Sequence, residues 1–168
     1  LAGLDPADVV LEIGPGLGIL TRYLSKRVAT VHAIEIDKSL APHLQEIERL
    51  QLHWGDAVAM DLATLDPTPN KLVANLPYNV ATPIVAESLS FEALQSWCVM
   101  VQKEVAERIA APPRTKDYSA LSVWMQAQCD IEIVRIMPPT VFWPRPKVDS
   151  AIIRITPNAA LRGRIPDL

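Results

Sequence analysis

The sequence predicts an α/β domain built on a seven-stranded, mostly parallel sheet, and two observations support this prediction. Short β-rich runs alternate with helical patterns along the chain, which is typical of right-handed β-α-β crossovers. The last two β-rich runs are joined only by a proline-rich link, 138–149, so we expect them to pair antiparallel and close the sheet edge.

Seven strands are predicted where β-branched, aliphatic and aromatic residues cluster between turn signals. They cover 9–13, 30–35, 52–54, 71–74, 97–101, 131–137 and 150–155. Helical patterns connect the early strands at 17–26, 39–48 and 80–89, and a further helix begins at Gln102. The 15 prolines fall mainly in the connections, where they break helices and stiffen loops.

Composition limits the class of protein. A chain of 168 residues with 49% hydrophobic residues has room for one globular core. No run approaches the roughly 18 apolar residues of a membrane span, and no targeting segment opens the chain, so we expect a cytoplasmic protein. The net charge of -3 argues against a generally basic surface for nucleic acid. Local basic clusters remain, at Arg145 with Lys147 and at Arg114 with Lys116.

Cysteine and histidine positions predict neither a disulfide nor a metal site. Cys98 and Cys129 lie in apolar stretches and are expected to be reduced core residues. His32, His43 and His53 have no Cys or His partner at ligand spacing, so we expect them to be structural or surface residues.

The turn after the first strand predicts a ligand site. Residues 9–13 lead directly into Gly14-Pro15-Gly16-Leu17-Gly18, where glycines let the backbone approach a small molecule. A dinucleotide-binding turn would need its third glycine at position 19, which is Ile19 here. The spacing therefore favours S-adenosylmethionine over a nicotinamide cofactor, and a tight turn without a ligand is the alternative.

Acidic residues at the next two strand ends fit the same nucleoside. Glu35 stands 21 positions after Gly14, where a carboxylate can accept both ribose hydroxyls, with Ile36 beside it. The third strand ends in Gly55-Asp56-Ala57, so Asp56 can accept from an adenine amino group while the Ala57 amide donates to the ring. The alternative for each acid is a surface carboxylate that caps the following helix.

The sequence Asn75-Leu76-Pro77-Tyr78 after the fourth strand predicts a site for a planar amine. The lone pair of adenine N6 is delocalised into the ring, so the amine becomes nucleophilic when acceptors hold its two hydrogens. The Asn75 side-chain oxygen is one acceptor and the Leu76 carbonyl the second, because Pro77 restricts the Leu76 backbone. Catalysis would then rest on positioning and electrostatic support, with Tyr78 stacked on an unpaired or flipped base.

A second aromatic and four basic residues are assigned to the RNA side of the site. Phe142 could complete a sandwich opposite Tyr78, or else anchor the final hairpin. The residues expected to face RNA phosphates are Lys103, Arg108, Arg145 and Lys147. For Arg108 an i,i+4 pair with Glu104 is the favoured alternative.

Five segments together resemble the ribosomal RNA adenine N6-dimethyltransferase family over nearly the whole chain. They are 11–18, 34–37, 55–57, 75–79 and 142–150, of which the last two are the most specific. The segment Phe-Trp-Pro-Arg-Pro-Lys-Val-Asp-Ser resembles the small-subunit branch, whose best-known bacterial member determines kasugamycin sensitivity. It is less similar to the erythromycin-resistance branch.

The resemblance implies a Rossmann-like class I methyltransferase fold. It also implies transfer of methyl groups from S-adenosylmethionine to two adjacent adenines near the 3′ end of small-subunit ribosomal RNA, within an immature subunit. N6,N6-dimethyladenine is the product, and we expect the protein to act as a monomer without metal. Gly14, Glu35, Asp56 and Asn75 match the family's cofactor positions, whereas Tyr78 and Phe142 match its base-holding aromatics.

The sequence departs from the family's pattern in two ways. The family usually begins with a Gly-Gln-x-Phe-Leu segment and ends with a small helical RNA-contacting domain, neither of which this sequence contains. We interpret 1–156 as a catalytic domain and 157–168 as the start of the helical domain, and we expect weak cofactor binding. The family also favours glycine where this chain has Ser119, so a glycine-only backbone there would be strained.

Three other functions are compatible with parts of the pattern. An adenine N6 methyltransferase acting on large-subunit RNA or DNA would share the pocket, and only the segment around Phe142 disfavours it. A ribosome-assembly or RNA-binding factor could keep the fold without turnover, although an intact 75–78 sequence disfavours that. A nicotinamide-linked oxidoreductase is disfavoured by Ile19.

Overall fold

Seven strands and six short helices follow one another along residues 1–162, the part of the chain that this computed structural model describes. The strands are β1 (Val9–Ile13), β2 (Thr30–Glu35), β3 (Leu50–Trp54), β4 (Lys71–Asn75), β5 (Ser96–Gln102), β6 (Cys129–Met137) and β7 (Ser150–Pro157). The helices are α1 (Ile19–Ser25), α2 (Ala41–Leu44), α3 (Ala81–Ser88), α4 (Lys103–Ile109), α5 (Ala120–Gln126) and α6 (Ala159–Arg162). All seven predicted strands are present, with ends shifted by a few residues at most.

All the strands belong to one sheet, in the order β3-β2-β1-β4-β5-β7-β6. The first five strands pair parallel, and β7 lies antiparallel between β5 and β6. The prediction of a seven-stranded, mostly parallel sheet with an antiparallel edge hairpin is therefore confirmed. The strand order reverses between β1 and β4, and ligands of open α/β sheets bind beyond the carboxyl ends of strands at such a reversal.

The core lies between the sheet and the helices that cover it. The central strands are almost entirely apolar and buried, as expected for parallel strands covered on both faces. Trp97 on β5 is fully buried, and its ring N–H donates to Ser88 Oγ at the end of α3 over 2.8 Å. Truncating a buried side chain of this size costs about 3–5 kcal/mol.

Two predicted helices are shorter in the structure. The helix predicted at 17–26 begins only after Gly18, whose left-handed φ of +77° keeps it outside the helix. The helix predicted at 39–48 divides into a 3₁₀ turn and α2 because Asp37 caps the turn and Pro42 lies in the first turn of α2. Both differences follow from local backbone geometry that hydrophobic periodicity does not report.

The strain predicted at Ser119 is absent. Its φ of -139° is ordinary extended backbone, which any residue adopts. Ser119 and Ser122 form a reciprocal capping box at the start of α5. Serine therefore starts this helix by side-chain hydrogen bonding, and the position makes no demand for glycine.

The sheet ends near residue 156, where the sequence places the end of the catalytic domain, and that domain boundary stays a prediction. Strand β7 ends at Pro157, and Asn158 Oδ1 then accepts from the amides of Ala160 and Leu161 at the start of α6. The rest of the predicted C-terminal helical segment, 163–168, lies outside the described residues.

Candidate functional site

The turn after β1 opens onto a large cavity. The cavity has a volume of about 950 Å³, and Gly14, Gly16 and Asn75 are among its lining residues. Gly14 and Gly16 have φ values of +70° and +56°, which side chains rarely adopt. A Cβ at Gly16 would meet nothing within 4 Å, so bare backbone faces the cavity.

Gly18 does not line this cavity, although the sequence assigns it to the cofactor. A Cβ at Gly18 would lie 2.9 Å from Ile47 Cδ1 and 3.0 Å from a methyl of Leu44. Its missing side chain lets the start of α1 pack against the α2 region. The structure therefore gives Gly18 a packing role.

Glu35 fastens the glycine turn to the end of β2. Its Oε2 accepts from the Gly16 amide over 3.2 Å, while Oε1 accepts from the amides of Ile36 and Asp37 over 2.9 Å each. The side chain is nearly buried, at 6% exposure. A carboxylate oxygen has two lone pairs, so Oε2 keeps one acceptor position for a ribose hydroxyl.

The remaining predicted cofactor residues lie just beyond β2 and β3. Ile36 follows β2, and Asp56 and Ala57 follow β3. Asp56 is exposed, and its Oδ1 accepts from the Val58 amide over 3.0 Å. Ala57 lines a second cavity of about 330 Å³, of which Ile13 is also a wall. Ile36 is 70% exposed, which leaves an apolar side chain beside Glu35 free to cover a flat ring.

Glu12 is a residue of the large cavity that the sequence did not single out. It lies in the middle of β1 at 1% exposure, and its Oε2 has no hydrogen-bond partner in the described part of the chain. Burial raises the pKa of Glu12 to about 7, an effect that the nearby Thr21 hydroxyl only partly opposes. A single acid in an otherwise apolar strand was the available sequence signal.

The cavity, together with Glu35, which does not line it but is bonded to its lining residue Gly16, fits S-adenosylmethionine. Open backbone at Gly16 admits a ligand, and the carboxylate of Glu35 is fixed at the neighbouring strand end. The unpaired oxygen of Glu12 adds a buried acceptor for a ligand's hydrogen-bond donors. A cofactor that joins a nucleoside to a cationic amino acid matches this combination of surfaces.

The predicted amine site begins at the end of β4. Leu76 is buried and its amide donates to the Met100 carbonyl on β5 over 3.1 Å, which fixes the backbone beyond Asn75. Within residues 1–162, neither the Asn75 side-chain oxygen nor the Leu76 carbonyl accepts a hydrogen bond. Both acceptors therefore remain available to an amine.

Pro77 connects the two parts of the site. A Cβ at Gly14 would lie 3.0 Å from Pro77 Cγ and 3.2 Å from its Cδ. The glycine turn and the proline ring are therefore packed directly against each other. Since β1 and β4 are adjacent strands, two separate motifs meet at the reversal of strand order.

Tyr78 and Phe142 line one open cleft of about 300 Å³, together with Asn75 and Trp143. Both predicted base-holding aromatics are half-buried, whereas Trp143 is 97% exposed. The Tyr78 hydroxyl and Ser150 Oγ are 2.7 Å apart and share a hydrogen bond. The two residues predicted to hold the base therefore line the same cleft, and their pairing around a base stays a prediction.

The four residues assigned to RNA phosphates all reach the surface. Arg145 and Lys147 are exposed on the segment between β6 and β7. The Lys103 amide donates to the Asp149 carbonyl over 2.9 Å, which joins the start of α4 to that segment.

The predicted i,i+4 pair between Glu104 and Arg108 is not formed within residues 1–162. Lys103 and Glu107 form the ion pair on α4 instead, at 3.6 Å. Arg108 is exposed and carries no ion pair in this part of the chain, so it faces solvent.

His32 and His53 are hydrogen-bonded to each other, and His32 is also bonded to the backbone. His32 Nε2 donates to the Pro67 carbonyl over 2.8 Å, so its Nδ1 accepts from His53 Nε2 at 3.0 Å. Burial lowers the pKa of both histidines.

Cys98 and Cys129 are free thiols, and burial raises the pKa of each. Residues 1–162 hold no group of three potential metal ligands, and none of their helices could cross a bilayer.

Known proteins share this sequence over most of its length. A family model described as "Ribosomal RNA adenine dimethylase" matches residues 2–163. "Ribosomal RNA small subunit methyltransferase A" of Chromobacterium violaceum is 42% identical, with 97% of this chain and 64% of that protein covered. The protein of the same name from Clostridium perfringens strain SM101 is 48% identical, with 88% and 54% covered. The chain thus spans between about half and two thirds of the length of these relatives.

Solved structures share the fold. A dimethyladenosine transferase from Plasmodium falciparum aligns with a TM-score of 0.84 at 30% identity, covering 96% of this chain and 60% of that one. The 23S rRNA methyltransferase ErmE aligns with a TM-score of 0.78 at 33% identity, covering 94% and 64%. These similarities confirm the Rossmann-like class I methyltransferase fold.

Proposed function

Because the chain belongs to the ribosomal RNA adenine dimethylase family, we propose that it transfers methyl groups from S-adenosylmethionine to N6 of adenine in small-subunit ribosomal RNA. The product is N6,N6-dimethyladenine at two adjacent adenines near the 3′ end, formed in an immature subunit during cytoplasmic ribosome biogenesis. The protein acts as a monomer.

The position of Asn75 is the observation that carries this proposal. It lines both the cavity over the glycine turn and the cleft between Tyr78 and Phe142. Methyl transfer needs a donor pocket and an acceptor pocket that meet at one point. Asn75 is that meeting point, at the carboxyl end of β4 where the strand order reverses.

The cofactor side holds a nucleoside by the backbone of the glycine turn after β1 and by acids at the ends of β2 and β3. Gly14 and Gly16 admit the ligand closely, Glu35 accepts from the ribose, and Asp56 with the Ala57 amide pairs with the adenine edge. When bound, S-adenosylmethionine supplies a methyl group activated by a positively charged sulfur. The fixed Glu35 needs little reorganisation on binding, since three backbone amides already hold it.

On the acceptor side, residues 75–78 make the target amine reactive and place it. The Asn75 oxygen and the Leu76 carbonyl accept the two N6 hydrogens, which draws the lone pair out of conjugation with the ring. Tyr78 and Phe142 hold the flipped base between aromatic faces. Transfer would form a carbon–nitrogen bond as the carbon–sulfur bond of the donor breaks, and the methylated amine would release one proton to water. Positioning and electrostatics supply the rate enhancement without a strong base.

Relatives support a small-subunit substrate over a large-subunit one. The curated relatives at 42–48% identity carry small-subunit names, whereas the large-subunit enzyme ErmE is 33% identical. Lys103, Arg108, Arg145 and Lys147 bind RNA phosphates around the cleft and thereby provide a local basic surface on an acidic chain.

The direct test is transfer of labelled methyl from S-adenosylmethionine to immature small ribosomal subunits. We expect label in N6,N6-dimethyladenosine of the small-subunit RNA. Asn75→Ala removes one of two acceptors and is expected to lower kcat by about 10²–10³, the usual cost of removing one preorganised partner of the reacting group.

Asn79→Ala is the matched control, since Asn79 is an exposed asparagine that lines neither cavity. It should retain wild-type transfer. Label absent from RNA although the chain binds S-adenosylmethionine would overturn the proposed reaction. Label in large-subunit RNA alone would overturn the choice of substrate.

A further inference from the structure

The hydrogen bond between Tyr78 and Ser150 joins the two walls of the cleft. Tyr78 belongs to the loop between β4 and α3, whereas Ser150 is the first residue of β7. The two residues are 72 positions apart in sequence, and their hydroxyl oxygens lie 2.7 Å from each other. The proposed function uses the aromatic face of Tyr78 and assigns no role to this bond.

Ser150 is held in place by the sheet. It is fully buried, and its backbone lies in register between Gln102 of β5 and Met137 of β6. A side chain of one carbon on a strand with neighbours on both sides has little freedom. Its Oγ is therefore a fixed point for a partner on the loop between β4 and α3.

A hydrogen bond at the tip of a tyrosine fixes the position of its ring. The hydroxyl oxygen lies on the axis of the Cβ–Cγ bond, so the bond to Ser150 restrains χ1 of Tyr78, and the contacts of the ring faces set the rotation about χ2. The bond also occupies the hydroxyl with a buried partner, which leaves the ring face as the surface presented to the cleft. Phe142, which lines the same cleft, lies on the segment that rejoins the sheet at Ser150.

We propose that Ser150 is a positioning residue that sets the position of the Tyr78 ring relative to Phe142 for the bound target base. This inference rests on the proposed function. Ser150 touches neither base nor cofactor in this role and acts through Tyr78 alone. The Tyr78 hydroxyl is then a tether to the sheet, and its ring face contacts the substrate.

A double-mutant cycle with Ser150→Ala and Tyr78→Phe tests this role in the methyl-transfer assay. Each variant removes one of the two hydroxyls that form this hydrogen bond, and Tyr78→Phe keeps the aromatic ring. We expect each to lower kcat about tenfold, with KM for immature subunits and the Kd for S-adenosylmethionine changed less than twofold. The double variant should lose no more than the worse single variant. Ser150→Thr, which keeps the hydroxyl, should restore most of the rate.

Ser122→Ala is the matched control because Ser122 is another fully buried serine whose hydroxyl bonds outside the cleft, to the Arg108 carbonyl. It should lower the melting temperature without lowering kcat. The positioning role would be overturned if the losses of kcat multiply in the Ser150→Ala/Tyr78→Phe variant. It would also be overturned if Ser150→Ala changes only the melting temperature. A wild-type chain that methylates no small-subunit adenine would instead overturn the proposed function.

Discussion

The cofactor cavity and the base cleft share Asn75 but are built in different ways. The cavity is lined by the glycine turn and by residues of the buried strands, among them the almost fully enclosed Glu12, and Glu35 is fastened beside the turn by three amides. The cleft is formed by two loops from distant parts of the chain, and its largest side chain, Trp143, is 97% exposed.

This difference shows which part of the site is preorganised and which part depends on a few tertiary contacts. A nucleoside cofactor meets a backbone already fixed by the sheet. A base meets two aromatic side chains from separate loops, of which Tyr78 is tied to the sheet by one hydrogen bond to Ser150. Changes in the cavity should therefore alter the free energy of unfolding, whereas changes in the cleft should lower substrate binding or turnover and leave folding intact.

The largest effect is expected at the contact between the two regions. Gly14→Ala places a Cβ in a left-handed backbone at φ +70° and 3.0 Å from Pro77. Strain and overpacking together should lower the free energy of unfolding by about 4 kcal/mol. Because Pro77 must move, both cofactor affinity and turnover should fall. Urea unfolding and calorimetric titration with S-adenosylmethionine measure the two losses.

Gly16→Ala isolates the strain from the steric contact. Gly16 has a similar φ of +56°, but its added Cβ would meet nothing within 4 Å. We expect a loss of stability of about 1–2 kcal/mol, from backbone strain alone. An equal loss in both glycine variants would show that the packing of Gly14 against Pro77 does not couple the cavity to the cleft.

Ionisation of Glu12 should make the free energy of unfolding depend on pH. Burial raises the pKa of Glu12 from 4.5 to about 7 in the folded chain, so the folded state keeps a proton that the unfolded state releases. The stability it contributes is complete below pH 4.5 and is lost as the pH rises to about 7. The total is on the order of 3 kcal/mol.

Glu12→Gln removes this ionisation and keeps the shape of the side chain. The variant should therefore be more stable than wild type at pH 8 and about equally stable at pH 4.5, as measured by urea unfolding. Glu48→Gln, the same change at an exposed position, should alter the free energy of unfolding by less than about 0.5 kcal/mol at either pH. Parallel pH profiles for wild type and Glu12→Gln would contradict the assignment.

Trp143→Ala is expected to have the smallest effect on the fold. Its effect should be confined to the cleft. An exposed indole beside a base site can stack on a neighbouring unpaired base, so its loss should weaken RNA binding by about 1–2 kcal/mol. Stability and S-adenosylmethionine affinity should not change. Trp124→Ala removes another exposed indole, on α5 and outside the cleft, and should leave RNA binding intact. Equal losses of RNA affinity in the two variants would argue against stacking at Trp143.

Most of the fold was predictable because strand periodicity and crossover length are local properties. All seven strands and the antiparallel hairpin were predicted, but the lengths of α1 and α2 were wrong. Helix periodicity continues through Leu17 and Gln45, whereas the left-handed Gly18 and the prolyl ring of Pro42 determine the observed ends.

Only part of the candidate site was predicted, because sequence patterns report local properties. Strand-end positions such as Glu35 and Asn75 follow from sequence spacing, since carboxyl ends of parallel strands share one edge. The buried Glu12, the packing role of Gly18 and the bond from Ser150 to Tyr78 depend on neighbours that are distant in sequence. The ion pair on α4 was also assigned to the wrong residues, because i,i+4 spacing permits both pairs and side-chain orientation selects one.

The sequence by itself determined the order of strands and helices, the glycine turn, and which residues stand at strand ends. These features depend on hydrophobic periodicity and on backbone preferences that act within a few residues. Tertiary structure alone decided that Gly14 packs on Pro77, that Asn75 borders two cavities, and that Ser150 anchors Tyr78. Such contacts join segments up to 72 residues apart, and only the pairing of β1 with β4 and of β5 with β7 brings them within bonding distance.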